Sequence, residues 1–256
     1  MVADSIGYQM RQLIGSAGMT LPWLLEQNGD WVTHTYIKPL EEGVEANRID
    51  FGNFNRLADS VARQLAEKLA DDCADLDLVI INQQVADGIH RSALFQEQLQ
   101  AVVAARPDKI FLLDSRDMSG RYAGTVRKIN AYEAMLLMGA DVEPRDLISL
   151  DDARTAAGKL ASEWRKPVFI SRGDRGCLVA NEGRIDTVPG LHIVAQTDPV
   201  GAGDSMVAGI AAALAAGSSP LEAATFGNFV AGVTVQKLHQ TGTASPDELR
   251  AIGRGL

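Results

Sequence analysis

Thr197-Asp198-Pro199-Val200-Gly201-Ala202-Gly203-Asp204-Ser205, running on into Met206-Val207-Ala208-Gly209-Ile210, is the stretch from which the rest of this chain is read. Gly-Ala-Gly lets the backbone approach a ligand closely and adopt conformations that a side chain forbids. The apolar, Ala-rich run that follows predicts a helix over 205–216. Such a helix turns unpaired N–H groups and its positive dipole end toward the turn, which makes an anion site. Asp204 stands in that site. A phosphate cradle beside a fixed carboxylate is what phosphorylation of a hydroxyl requires: donors stabilise charge on the transferring group while the carboxylate accepts the proton. A Walker A loop would carry lysine where Asp204 stands, and the dinucleotide fingerprint would carry glycine where Met206 stands. The bland alternative is a tight turn with Asp204 as an ordinary helix cap.

Working outward, strand-like and helix-like stretches alternate. Helical periodicity covers 5–15 (Ile6, Met10, Leu13 and Ile14 on one face), 55–69, 90–105, 130–139, 151–164 and 221–238. Residues 76–82 (LDLVIIN) and 110–113 (IFLL) read as buried strands of a parallel sheet. Residues 167–171, 176–180 and 184–188 read as further strands. Trp31–Ile37 and Val44–Phe51, joined by the turn-like KPLEEG, predict a hairpin with one exposed face. Ser245-Pro246-Asp247-Glu248 is a capping box that opens a last short helix. The pattern is α/β, with a mostly parallel sheet and a small strand pair near the start. Asp114-Ser115-Arg116 follows directly on IFLL, and open α/β sheets place their ligands beyond the carboxyl ends of such strands.

TDPVGAGDSMVAGI resembles the C-terminal signature of the ribokinase-like (PfkB) carbohydrate kinases, Asp-Thr/Pro-x-Gly-Ala-Gly-Asp. Three further stretches resemble that family's motifs in the expected order. Lys128-Ile129-Asn130-Ala131-Tyr132-Glu133 is similar to its Lys-Pro-Asn-x-x-Glu, with Ile129 in place of proline. Ser171-Arg172-Gly173-Asp174-Arg175-Gly176 is similar to its Thr-x-Gly-x-x-Gly nucleotide turn. Phe226-Gly227-Asn228 resembles the segment bordering adenine. Thr35 to Lys38, Arg48 to Phe51 and Gly120-Arg121-Tyr122-Ala123-Gly124 resemble the heptose-phosphate kinase branch. The family's opening βα section, with its sugar-binding aspartate and Gly-Gly-x-x-x-Asn motif, has no counterpart here. The resemblance therefore implies a single ribokinase-like domain over 1–256, N-terminally incomplete. Its fold would be three-layered, with a mostly parallel central sheet and a β lid at about 31–51.

That resemblance also implies roles. Asp204 would be the general base, and Gly201, Ala202 and Gly203 would offer N–H groups to the transferring phosphoryl. Lys128, Asn130, Ser171, Gly173, Gly176 and Asn228 would bind the nucleotide. Asn130 and Glu133 would organise Mg²⁺, and Asp198 with the Val200 carbonyl would hold a monovalent cation such as K⁺. Lys38 and Arg48 on the lid would meet a phosphate already on the substrate, unless they are plain surface charges. The implied activity is transfer of the γ-phosphoryl of ATP to a hydroxyl of a sugar or sugar phosphate. The alternatives are a non-catalytic nucleotide or sugar binder, and a nucleoside kinase of the same fold. A homodimer through the lid is a further expectation.

Bulk properties agree. The net charge of −9 argues against nucleic acid as a partner. Cys73 and Cys177 have no metal-ligand spacing and read as reduced core thiols. His34, His90, His192 and His239 form no cluster. Without a leader-like start or a long apolar run, the expected location is the cytoplasm, with no membrane partner.

Overall fold

Proline and asparagine shape the start of the fold in a computed structural model that describes residues 4–20, 23–42 and 44–254. Two compact units are present, one made of 1–75 with 83–106 and the other of 76–82 with 107–256. In the first, helix α1 (Ser5–Ser16) is capped by Asp4, which accepts the Gly7 N–H at 2.6 Å. Its expected apolar face is not a buried one: Leu13 is 69% exposed. The hairpin expected over 31–51 is two short ribbons. Strand β1 (Thr35–Ile37) pairs antiparallel with β4 (Ile49–Phe51), and β2 (Leu40–Glu41) pairs antiparallel with β3 (Val44–Glu45). Pro39 lacks an N–H and interrupts the ladder between them. Gly43, the glycine of the expected turn, lies outside the described residues. Residues 31–34 are not strand. The Asn55 side chain accepts the Val32 N–H at 2.7 Å and donates to its carbonyl at 2.8 Å. That use of Asn55 is why helix α2 (Asp59–Asp72) begins later than its periodicity suggested. Helix α3 (Ala93–Ala105) likewise starts after Ser92, whose hydroxyl accepts the Phe95 N–H.

The second unit is a mostly parallel six-stranded sheet between helices. Its strands are β5 (Leu78–Gln83), β6 (Ile110–Ser115), β7 (Val126–Asn130), β8 (Val168–Ser171), β9 (Cys177–Asn181) and β10 (Arg184–Val188), in the spatial order β10-β9-β8-β7-β6-β5. Strands β6, β7 and β8 run parallel, β9 pairs antiparallel with β8, and β10 pairs antiparallel with β9. The sequence pattern misses β7 altogether, because Arg127 and Lys128 interrupt its apolar run. It also over-buries β5, the last strand in the order, where Ile80 is 43% exposed.

Helices α4 (Ala131–Leu137) and α5 (Leu150–Trp164) cover one face, packing Ala134, Ala153, Ala157 and Leu160 on Ile129, Ile170 and Leu178. Helices α6 (Ala202–Ala215) and α7 (Pro220–Thr234) cover the other, packing Met206, Val207, Ile210 and Ala223 on Leu112, Phe169 and Val179. Alternate residues of each strand thus feed opposite cores, which makes three layers. Helix α8 (Pro246–Arg254) opens on the expected capping box: the Ser245 N–H donates to Glu248 at 2.7 Å, and the Glu248 N–H donates to the Ser245 hydroxyl at 3.3 Å. Both cysteines are buried and free. Among the described residues no helix is long and apolar enough to cross a membrane.

Candidate active site

Register decides which strand residues meet. Asp114 lies opposite Lys128, Lys128 opposite Phe169, and Asn130 opposite Ser171. Phe169 belongs to the core beneath α6 and α7, so Asp114, Lys128, Asn130 and Ser171 share that face. All lie at the carboxyl end of the sheet, where α6 begins. A Cβ built on Gly203 would stand 3.2 Å from Lys128 Nζ, so the ammonium rests against the glycine turn. Lys128 and Asp114 are 8% and 7% exposed in their side chains and form an ion pair at 3.4 Å. Burial pushes the Asp114 carboxyl above its ordinary range. Lys128 opposes that shift, and the nearby negative charge of Asp204 adds to it.

The turn itself is formed by Gly201, which sits at φ +77° as the N-cap of α6. A Cβ there would meet Thr241 at 2.7 Å, so glycine is required both by the backbone and by the close approach. Helix α6 begins at Ala202, three residues before the periodicity placed it, which puts Asp204 in its first turn. The Ala202 N–H, expected as a phosphate donor, is instead taken by the Pro199 carbonyl at 3.1 Å. Among the described residues no acceptor takes the N–H groups of Gly201, Gly203 or Asp204. Asp204 is exposed, and its carboxylate accepts no hydrogen bond among those residues.

Asn130 and Glu133 form a reciprocal cap on α4. The Asn130 N–H donates to Glu133 Oε2 at 2.9 Å, and the Glu133 N–H donates to Asn130 Oδ1 at 2.8 Å. Burial raises the Glu133 carboxyl, against the opposing hydrogen bond from Asn130 and the charge of Lys128. One oxygen of Glu133 stays outside the cap. No three His, Cys, Asp or Glu residues among those described cluster as a metal cage. A hard cation at this point would be held by a carboxylate, water and phosphate oxygens, which is the habit of Mg²⁺.

The remaining expected residues divide. Ser171 donates to the Ile129 carbonyl at 3.4 Å. Gly173 (φ +63°) opens a short 3₁₀ turn with space around it. Gly176 (φ +81°) is a packing glycine, because a Cβ there would stand 2.1 Å from the Val188 carbonyl. Asn228 donates its amide to Pro189 at 2.9 Å. Asp198 accepts the N–H groups of Val200 and His239, each at 3.0 Å, and so ties the glycine turn to the segment after α7. Lys38 and Arg48 belong to the first unit. Arg48 is bound by Asp50 through two nitrogens, at 2.6 and 2.7 Å, and lies 4.5 Å over the Tyr36 ring. In the sequence Asp114 stands out only as a polar residue after a strand. Its pairing with Lys128 comes from the unrecognised strand β7.

A three-layer α/β sheet with an acid-bearing glycine turn at its carboxyl end defines the ribokinase-like class of fold. The chain matches the description "pfkB family carbohydrate kinase" over residues 3–248 and belongs to that family. Curated relatives named bifunctional protein HldE include that of Hydrogenovibrio crunogenus, 27% identical over 248 residues and matching 96% of this chain. Another, from a Caulobacter species, is 30% identical over 222 residues and matches 86% of this chain. This chain spans 48% and 43% of those two proteins, less than half of each. Solved structures with the same fold include phosphofructokinase-2 of Escherichia coli in complex with potassium (TM-score 0.75, 20% identity, 98% of this chain and 79% of that one). Ribokinase of Thermotoga maritima gives a TM-score of 0.72 at 19% identity, with 99% and 79% covered.

Proposed function

We propose that this chain transfers the γ-phosphoryl group of ATP to a hydroxyl of a sugar or sugar phosphate, with Asp204 as general base. The observation that carries this reading is the start of α6, where unpaired N–H groups, a buried lysine and an unengaged carboxylate meet within one helical turn. The Gly203 and Asp204 N–H groups and the Lys128 ammonium receive negative charge on the phosphoryl as it moves. The acceptor oxygen bonds to phosphorus while the bond to the departing ADP oxygen breaks, and the hydroxyl proton passes to the Asp204 carboxylate. Asp114 holds Lys128 in place from the opposite side. Ser171 and the Gly173 turn, one strand over, suit the rest of the nucleotide, with Asn228 placing the 188–190 segment beside it.

Mg²⁺, when bound, would offset charge on the phosphates, and the free oxygen of Glu133 would hold it, largely through water. Asp198 is the corresponding candidate for a monovalent cation, and the potassium in the phosphofructokinase-2 structure supports testing K⁺ there. The HldE relatives support a sugar phosphate as acceptor, with Lys38 and Arg48 the candidates to meet its phosphate. Exposed Tyr36, Ile37, Leu40, Ile49 and Phe51 support a homodimer through the ribbons. A cytoplasmic location suits ATP as the donor.

The test is ATP consumption against a panel of sugars and sugar phosphates, beside nucleotide affinity. Asp204→Asn keeps fold and nucleotide binding and loses about 10²- to 10⁴-fold in turnover, the usual worth of a general base. Near-normal turnover removes the assignment. Nucleotide binding by the unaltered chain without turnover on any acceptor would favour the non-catalytic binder.

A further inference from the structure

Arg127 is 1% exposed, and among the described residues it has no carboxylate in ion-pair range. Arginine is almost never fully buried unless its donors are satisfied. Here every guanidinium nitrogen donates to backbone carbonyls of one segment. Nε donates to Ser119 at 2.7 Å, Nη1 to Thr125 at 3.0 Å, and Nη2 to Arg121 at 2.9 Å and Tyr122 at 3.4 Å. The flat face of the guanidinium lies 4.0 Å from the centre of the Trp164 ring at the end of α5, a cation–π contact. Burial draws its pKa down to about 10, which still leaves it charged at neutral pH.

The segment it holds is unusual. Parallel neighbours are ordinarily joined by a crossover of a dozen or more residues carrying a helix. Strands β6 and β7 are parallel, yet residues 116–125 connect them without a helix. Such a connection has no ladder or helix to satisfy its carbonyls, and buried carbonyls need donors. Tyr122 (φ +54°) and Gly124 (φ +91°) fold it tightly, and Ser119 and Thr125 hydroxyls donate back to Ser115 and Tyr122. Arg127 adds donors to the carbonyls of Ser119, Arg121, Tyr122 and Thr125. The segment leaves β6 directly after Asp114-Ser115 and re-enters β7 two residues before Lys128. Its two ends therefore carry the acid and the base of the buried pair at the glycine turn.

We propose that Arg127 is a positioning residue: by clamping the 119–125 backbone from the face opposite the site, it fixes the Asp114–Lys128 pair against the start of α6. This rests on the phosphoryl-transfer reading for its kinetic consequence, but the clamp itself can be measured without it. Arg127→Met keeps the bulk and removes the donors. Trp164→Leu removes the ring alone, in case the first variant fails to fold. Leu160→Ala, in the same core layer, is the control for destabilisation as such.

Hydrogen exchange of the 116–125 amides, ATP affinity, and kcat and KM for ATP are read well below each melting midpoint. For Arg127→Met, exchange in 116–125 accelerates at least about tenfold while β8 and β9 stay protected. In the same variant kcat/KM for ATP falls about 10- to 100-fold, the scale of a displacement approaching 1 Å. Trp164→Leu shows both effects in weaker form, and Leu160→Ala shows neither despite a lower midpoint. Unchanged exchange in 116–125, or an equal kinetic loss in Leu160→Ala, overturns the proposal. An unaltered chain that neither binds nor turns over ATP would instead remove the kinase reading, and the exchange result would still judge the clamp.

Discussion

Gly209→Ala is expected to destabilise the second unit, although alanine is the better helix former. Gly209 lies mid-way along α6, where a Cβ would stand 2.8 Å from Gly227 Cα, 2.8 Å from Val230 Cγ2 and 3.1 Å from Val230 Cβ, all on α7. Carbon atoms settle at about 3.5–4.0 Å, so the helices must separate by roughly 1 Å. One of the opposing atoms is backbone and cannot rotate aside. Overpacking of this kind costs about 1–3 kcal/mol, and the gain in helix propensity returns about 1 kcal/mol. The net loss is therefore up to about 2 kcal/mol, or as much as about 8 °C in melting midpoint for a unit of this size. Gly253→Ala in α8, where nothing lies within 4 Å, should shift stability the other way by a few tenths of a kcal/mol. Because α6 also carries Asp204 and the glycine turn of the proposed site, Gly209→Ala should lower kcat/KM for ATP by up to about 100-fold. Thermal and urea melts of both variants, with activity assayed at 20 °C below each midpoint, provide the measurement. A Gly209→Ala protein at least as stable as the parent would refute the packing argument. A destabilised one with unchanged kinetics would refute the coupling of α6 position to the site.

Gly176→Ala should cost more, about 2 kcal/mol or above, since left-handed strain adds to a 2.1 Å approach to the Val188 carbonyl; calorimetry would show it, and a loss under about 0.5 kcal/mol would contradict it. Ser219→Ala removes half of the capping box at the start of α7 and should lower stability by about 1 kcal/mol in urea titrations. Asp114 sets a pH dependence. Burial raises its folded carboxyl above the unfolded value of about 3.9, so the folded state takes up the proton first. Its contribution to stability therefore grows as pH falls through the folded value toward about 3.9, and is lost as pH rises again. Comparing urea stability of the parent and Asp114→Asn across that window should show the parent gaining relative to the variant on acidification; the opposite slope would be inconsistent with a buried carboxyl.

Much was legible without coordinates because it is local. The glycine turn, the Ser245–Glu248 capping box and the β10 span each depend on residues within a few positions of one another. Strand β7 was not legible. A strand with Arg127 and Lys128 at its centre is stable only when Trp164 and the 119–125 carbonyls receive one side chain and Asp114 the other. None of those partners can be inferred from the run VRKIN itself. The ribbons of residues 35–51 failed similarly: alternation suggested two long strands, but Pro39 and the capture of Val32 by Asn55 divided them.

The chain's own order of residues determined the layer pattern, the family and the identity of the acid at the helix start, since periodicity and motif spacing are properties of neighbouring positions. Tertiary structure alone decided that Lys128 rests against Gly203 with Asp114 behind it. It alone showed that the Ala202 amide is already occupied and that Arg127 holds the connection from the far face. Those facts arise from strand register and helix approach, which bring together groups far apart along the chain and decide which of their hydrogen-bonding atoms are left for a ligand.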